Sequence, residues 1–168
     1  MKLFLALLFL SAGPALACDD SSKIYKVCAN QEEAFNAQVG AAKEQNKMLV
    51  LVLGAEWCPW CVSLNGMLKD PAFGGEFAKK FLFGDIAMYD GKVKLESGQA
   101  VLHKVQELAK DHDKKKVDGI PILVLVNPRN IKAVIMGTEP LEQNTATHKG
   151  HNPKRVLAAL EKAAVAVQ

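Results

Sequence analysis

Two cysteines separated by two residues are the part of this sequence best suited to chemistry. Cys58 and Cys61 follow an apolar run at residues 48–54 and precede apolar residues at helical spacing. This pattern predicts a buried strand that turns into a helix at the cysteines. The start of a helix stabilises a thiolate and lowers the pKa of the first thiol in such sites from about 8.5 to roughly 3.5–7.5. We therefore interpret Cys58 as the attacking sulfur and Cys61, one turn later, as the sulfur that resolves a mixed disulfide.

A cysteine pair at this spacing can also be half of a zinc site. Such a site needs a second pair of ligands at suitable spacing. The other two cysteines, Cys18 and Cys28, lie upstream with nine residues between them. The strand–turn–helix context therefore favours redox chemistry at Cys58 and Cys61, and we predict no resident metal and no cofactor.

The first residues have the layout of a secretory signal peptide. Lys2 is followed by a short apolar core, and a small-x-small cleavage site ends at Ala17. The apolar run is too short to span a bilayer, so we predict no membrane span. We expect residues 1–17 to be removed and residues 18–168 to form a single domain in the periplasm or outside the cell.

A cysteine at the new N-terminus makes a lipoprotein the alternative. Lipoprotein signals usually carry Leu three residues before the cysteine and a small residue two before it, whereas this chain has Ala15 and Leu16 there. The pattern therefore favours export without lipidation of Cys18. In an oxidising compartment, an even number of cysteines makes a structural disulfide between Cys18 and Cys28 plausible, with two unpaired thiols as the alternative.

The charge balance gives no indication of a nucleic-acid partner. The 168 residues carry a formal net charge of +3. The densest basic run, residues 114–116, is surrounded by aspartates and predicts a solvated loop.

The rest of the chain alternates between helical and strand patterns. The predicted strands are residues 48–53, 81–88, 122–126 and 131–136, and the predicted helices are 30–42, the helix after the cysteines, a short piece at 73–81, 99–112 and 152–167. Residues 89–98 predict an exposed connection. Residues 137–151, which contain His148 and His151, predict either a functional loop over one end of the sheet or a mobile excursion.

Two separated motifs resemble those of the thioredoxin superfamily. Residues 57–61, Trp-Cys-Pro-Trp-Cys, are similar to its redox motif, and Gly119-Ile120-Pro121 is similar to the segment that carries its cis-proline. The resemblance implies an α/β fold of three layers, with a central mixed sheet of four or five strands flanked by helices. It also implies a cis bond between Ile120 and Pro121 that faces Cys58.

The resemblance further implies a thiol–disulfide oxidoreductase that acts on cysteine-containing proteins and has a redox partner protein. Its substrate would lie on a shallow surface formed by Trp57, Trp60, Ile120 and Pro121. The direction of electron flow stays open at this point, as does the partner.

Two alternatives belong to other functional classes. In a copper-binding protein or metallochaperone, Cys58 and Cys61 would hold a soft metal, with His148 or His151 as a further ligand. A thioredoxin-like module without catalysis is the other alternative, and the presence of both cysteines disfavours it.

The sequence departs from ordinary thioredoxins at two places. Pro59-Trp60 stands between the cysteines where thioredoxins have Gly-Pro, so a strong reductase role does not carry over. Val52 stands where thioredoxins have a buried Asp that helps to move protons. Glu56, beside the motif, is either a partial substitute for that acid or an exposed side chain.

Overall fold

The computed structural model describes Cys18 and residues 23–109, 119–144 and 149–168. The predicted signal peptide at 1–17, the basic run at 114–116 and His148 lie outside these residues.

The described elements follow the order expected of an α/β chain. They are α1 (Gln31–Glu44), β1 (Met48–Gly54), α2 (Pro59–Lys69), α3 (Pro71–Lys80), β2 (Phe81–Ala87), β3 (Tyr89–Asp90), β4 (Val93–Lys94), α4 (Glu96–Leu108), β5 (Ile122–Val126), β6 (Ala133–Gly137), a 3-10 helix (Glu139–Leu141), β7 (Glu142–Asn144), β8 (Lys149–His151) and α5 (Pro153–Ala166). No helix in the described part of the chain is long and apolar enough to cross a membrane.

Four strands form the central sheet, in the order β2-β1-β5-β6. β1 pairs with β2 in parallel, whereas β5 is antiparallel to both β1 and β6. The prediction of a mixed sheet of four or five strands is therefore confirmed. Every residue of β1 after Met48 is buried, which explains why its sequence is a continuous apolar run rather than an alternating one.

Helices cover both faces of the sheet. Alternate residues of β1 point to opposite faces, so that Val50 packs in one core cluster and Leu51 in the other. The first cluster receives Leu64 from α2 and Leu160 from α5. The second receives Phe35 from α1, together with residues of α4. This arrangement confirms the three-layer fold.

Asparagine side chains cap two of the helices. Asn30 caps α1, where its Oδ1 accepts hydrogen bonds from the backbone amides of Glu32 and Glu33 at 3.0 and 3.2 Å. In a capping box, the side chain of Glu33 would accept a hydrogen bond from the backbone amide of Asn30. Here it accepts one from the side-chain amide of Asn30 instead. Asn152 caps α5 in the same way, with Pro153 in the first turn.

The expectation of an exposed connection at residues 89–98 is partly wrong. The segment contains the β3–β4 hairpin, and α4 already begins at Glu96. Gly98 is buried in the first turn of α4. It lies so close to the end of β2 that an added Cβ atom would be 2.3 Å from the carbonyl oxygen of Ala87. This glycine allows the helix to approach the end of β2 and does not mark a turn.

The described residues of the polar stretch at 137–151 contain regular secondary structure. Its described residues form the 3-10 helix and the β7–β8 hairpin, which packs against α2. Gly150 and His151 are buried. The sequence of this stretch shows no alternation of apolar and polar residues that would predict strands. The strands are positioned instead by packing against α2.

Candidate redox site

The two cysteines of the motif lie at the start of α2, as expected. Cys58 is the N-cap residue and Pro59 occupies the first turn. Proline is tolerated there because a backbone N–H at that position has no hydrogen-bond partner within the helix. The backbone amide of Cys61 donates a hydrogen bond to the Sγ atom of Cys58 at 3.2 Å. The two residues form a disulfide, with their Cα atoms 5.2 Å apart, so the structure shows the oxidised form of the pair.

Solvent reaches the two sulfur-bearing residues unequally. Cys58 is 4 % exposed, whereas Cys61 is fully buried at 0 %. Cys58 is therefore slightly more accessible than Cys61.

The segment at Ile120 and Pro121 lies beside Cys58, although 62 residues separate it from Cys58 in the chain. The Ile120–Pro121 bond is cis, which confirms that expectation. The carbonyl oxygen of Ile120 lies 3.8 Å from the Sγ atom of Cys58. The carbonyl oxygen of Pro121 accepts a hydrogen bond from Thr138 at 3.1 Å. The segment before β5 therefore contacts the redox turn at the start of α2.

Each tryptophan of the motif makes an edge-to-face contact with a ring from a distant segment. Trp57 is 52 % exposed and lies 5.4 Å from the ring of Tyr89. Trp60 is half-buried and lies 5.8 Å from the ring of His151. Sequence reasoning missed Tyr89, because it begins a polar segment that was predicted only as an exposed connection. His151 was noted there only as a possible metal ligand.

His151 is buried without a polar partner among the described residues. It is 6 % exposed, and neither ring nitrogen has a hydrogen-bond partner. Burial lowers the pKa of this imidazole, so the neutral form is favoured. The ring borders a cleft between α2 and the β7–β8 hairpin that also includes Met67 and Gln143.

A partly buried acid lies next to Val52, on the neighbouring strand. Val52 pairs with Asp85 in the register of β1 and β2. Asp85 accepts hydrogen bonds from the side chain of Asn65 at 2.6 Å and from Lys69 at 3.2 Å. Burial raises the pKa of this carboxyl group. No sequence pattern distinguished Asp85, because it stands inside a run that was recognised only as a strand.

Glu56 is exposed and binds the segment that precedes α1. Its carboxylate accepts hydrogen bonds from the backbone amides of Ile24 and Tyr25, both at 3.2 Å. The exposed carboxylate therefore holds a neighbouring segment and does not replace the buried acid of thioredoxins.

Farther along that segment, Cys28 is joined to Cys18 by a disulfide, which is the pairing expected from the sequence.

The described residues give no support to the metal-binding alternative. They contain no group of three or more His, Cys, Asp or Glu side chains that could hold a metal ion. His151 contacts Trp60, and His148 lies outside the residues that the structure describes.

Comparison with solved structures finds several similar proteins. A disulphide isomerase from Xylella fastidiosa Temecula1 is 25 % identical, with a TM-score of 0.45 over 63 % of this chain and 72 % of that one. A thioredoxin from Thermus thermophilus is 16 % identical, with a TM-score of 0.49 over 79 % and 85 %. The C-terminal domain of Neisseria meningitidis DsbD in the oxidised form is 19 % identical, with a TM-score of 0.42 over 65 % and 85 %.

Comparison with curated protein sequences gives no match. A family model described as thioredoxin-like matches residues 29–128, which is more than half of the 168 residues and includes both Cys58 and Pro121. The fold and the close cysteine pair agree with that match. The chain belongs to the thioredoxin-like family.

Proposed function

We propose that this protein is an exported thiol–disulfide oxidoreductase that exchanges disulfides with cysteines of other proteins through Cys58 and Cys61. The observation that carries the proposal is the geometry of the pair. Cys58 is the outer sulfur, stands at the N-cap of α2 and accepts the amide hydrogen of Cys61. A negative charge on its Sγ atom would be stabilised there by that amide and by the helix dipole.

The reaction proceeds by two exchanges of sulfur partners. From the oxidised form, a substrate thiolate attacks Sγ of Cys58, the Cys58–Cys61 bond breaks, and Cys61 leaves as a thiolate that takes a proton from solvent. A second substrate thiolate then attacks the substrate sulfur of this mixed disulfide, the bond to Cys58 breaks, and Cys58 leaves as a thiolate. The substrate becomes a disulfide, and the enzyme pair has gained two electrons and the proton on Cys61.

The same steps in reverse reduce a substrate disulfide. Cys58 attacks one sulfur of the substrate disulfide, the substrate S–S bond breaks, and the other substrate sulfur leaves as a thiolate. Cys61 then loses its proton, attacks Sγ of Cys58 and expels the second substrate thiolate. A redox partner protein must restore the starting state in either direction.

The substrate surface that we propose consists of Trp57, Trp60, Ile120 and Pro121. The exposed ring of Trp57 offers apolar contact area next to Cys58. The carbonyl oxygen of Ile120 lies within 3.8 Å of Sγ and offers an acceptor to the backbone of an extended substrate.

Export rests on the sequence pattern of residues 1–17. A periplasmic or extracellular location would suit both disulfides, since such bonds persist in oxidising compartments.

The direction of transfer follows from how strongly the reduced form is stabilised. The amide of Cys61 and the helix start both stabilise a Cys58 thiolate, and stabilising the reduced form makes a pair more oxidising. Equilibration with glutathione should therefore give a reduction potential above about −200 mV, typical of a disulfide donor. A value near about −270 mV would assign the protein as a reductant instead.

Trapping of mixed disulfides tests the proposal. We expect the Cys61→Ser variant to accumulate covalent adducts with substrate proteins, because the resolving sulfur is missing and the attacking sulfur remains. The matched Cys58→Ser variant should form none. Adducts of equal yield in both variants, or in neither, would contradict the assignment.

A further inference from the structure

A short segment before α1 packs against the redox turn through a buried residue. Its central residue, Tyr25, is 2 % exposed. The ring fills the space beside Gly54, the last residue of β1, where an added Cβ would come within 2.6 Å of the ring and its hydroxyl. The Cys18–Cys28 disulfide closes the chain around this segment. Tyr25 is therefore held against the point where β1 passes into the redox turn.

The hydroxyl group of Tyr25 contacts two residues of α2. It lies 3.5 Å from the carbonyl oxygen of Cys61 and 3.3 Å from the side-chain nitrogen of Asn65. The Asn65 amide donates both to this hydroxyl and to Asp85, so the hydroxyl accepts from Asn65 and directs its own hydrogen towards Cys61. Burial raises the pKa of Tyr25, which keeps the hydroxyl protonated and able to donate.

The same segment is tied to the other side of the redox turn. Glu56, two residues before Cys58, accepts the backbone amide hydrogens of Ile24 and Tyr25. The segment thus contacts the turn on both sides of the cysteine pair, through the Glu56 carboxylate before it and through the carbonyl group of Cys61.

We infer that Tyr25 is a positioning residue for Cys61, an inference that rests on the function proposed above. In the oxidised protein the Cys58–Cys61 bond itself holds the first turn of α2. In the mixed disulfide that bond is open, and Cys61 must still attack Sγ of Cys58, form the new S–S bond and expel the substrate thiolate. The hydrogen bond from Tyr25 keeps the Cys61 backbone in place during this step.

The inference predicts that the two steps respond differently to loss of the hydroxyl. Tyr25→Phe keeps the ring beside Gly54 and removes the donor to Cys61. A hydrogen bond of ordinary net strength corresponds to about a fivefold change in rate. The O···O distance of 3.5 Å is longer than that of an ordinary hydroxyl bond, so this value is the upper limit. We expect the attack of Cys61 on the mixed disulfide to slow by up to about fivefold, whereas the first attack by Cys58 keeps its rate.

Rapid mixing of the protein reduced at Cys58 and Cys61, with Cys18 and Cys28 still paired, with excess dithiobis(nitrobenzoate) separates the steps. Attack by Cys58 releases the first coloured thionitrobenzoate in a phase that depends on reagent concentration. Attack by Cys61 releases the second in a phase that does not. Phe35→Leu is the matched control, because Phe35 is an equally buried ring in the core cluster on the opposite face of the sheet.

The outcomes separate this inference from the proposed function. A slower second phase in Tyr25→Phe, with an unchanged first phase and no slowing in Phe35→Leu, supports the positioning role. Equal second phases in Tyr25→Phe and the unsubstituted protein, or equal slowing in Phe35→Leu, would overturn it while leaving the proposed function in place. Failure of the unsubstituted protein to release thionitrobenzoate from Cys58 would overturn the proposed function and the inference with it.

Discussion

Substituting Gly98 with Ala should destabilise the fold, because the helix there contacts backbone that has little room to move. The new Cβ would lie 2.3 Å from the carbonyl oxygen of Ala87 and 3.2 Å from the Cα atom of Met88. Overpacking of this kind costs about 1–3 kcal/mol of the free energy of unfolding. For a chain of this length that corresponds to a fall in Tm of about 2–4 °C per kcal/mol. Thermal unfolding followed by circular dichroism measures the change.

Gly40→Ala is the matched control, since it makes the same substitution in a helix. Gly40 lies on the exposed side of α1, and an added Cβ would meet nothing within 4 Å. Alanine there should raise the free energy of unfolding by about 0.4–1 kcal/mol, because it restricts the unfolded chain and favours the helix. The two substitutions should therefore have opposite signs. A Gly98→Ala variant as stable as Gly40→Ala would refute the close packing of α4 against the end of β2.

Two further predictions concern His151 and the N-terminal segment. Burial lowers the pKa of His151, so on acidification this histidine is protonated at a higher pH in the unfolded state than in the folded state. The free energy of unfolding should therefore fall as the pH drops below the ordinary histidine pKa of about 6.5. His151→Leu should reduce that fall in denaturant titrations at about pH 7 and pH 5; an equal fall in His151→Leu and in the unsubstituted protein would contradict a buried imidazole that has no polar partner among the described residues. Mass spectrometry of exported protein under non-reducing conditions should show a chain that begins at Cys18 and carries a Cys18–Cys28 disulfide, and a lipid-modified Cys18 would contradict this.

The central strands and the start of the redox helix could be predicted from the sequence because their patterns are local. The apolar run of β1 needs burial on both faces, and Asn30 and Asn152 satisfy the amides of the helices that follow them. The position of Pro121 beside Cys58 came instead from the family resemblance, since no local pattern relates segments so far apart in the chain.

The polar contacts around the site could not be predicted in the same way. Tyr25, Asn65 and Asp85 come from three different elements, and only the folded chain brings their side chains together. The hairpin that carries His151 was missed for a related reason, because its burial depends on α2 and not on its own alternation of residues. Long-range contacts of this kind have no periodic signature.

The pH dependence of alkylation tests the central claim, that Cys58 is the attacking thiolate, most directly. In the reduced Cys61→Ser variant, with Cys18 and Cys28 still paired, Cys58 is the free thiol. Its position at the N-cap of α2 predicts that the rate of reaction with iodoacetamide rises with a midpoint well below the ordinary thiol pKa of about 8.5. A midpoint at or above about 8.5, or a lower midpoint for Cys61 in Cys58→Ser, would contradict the account.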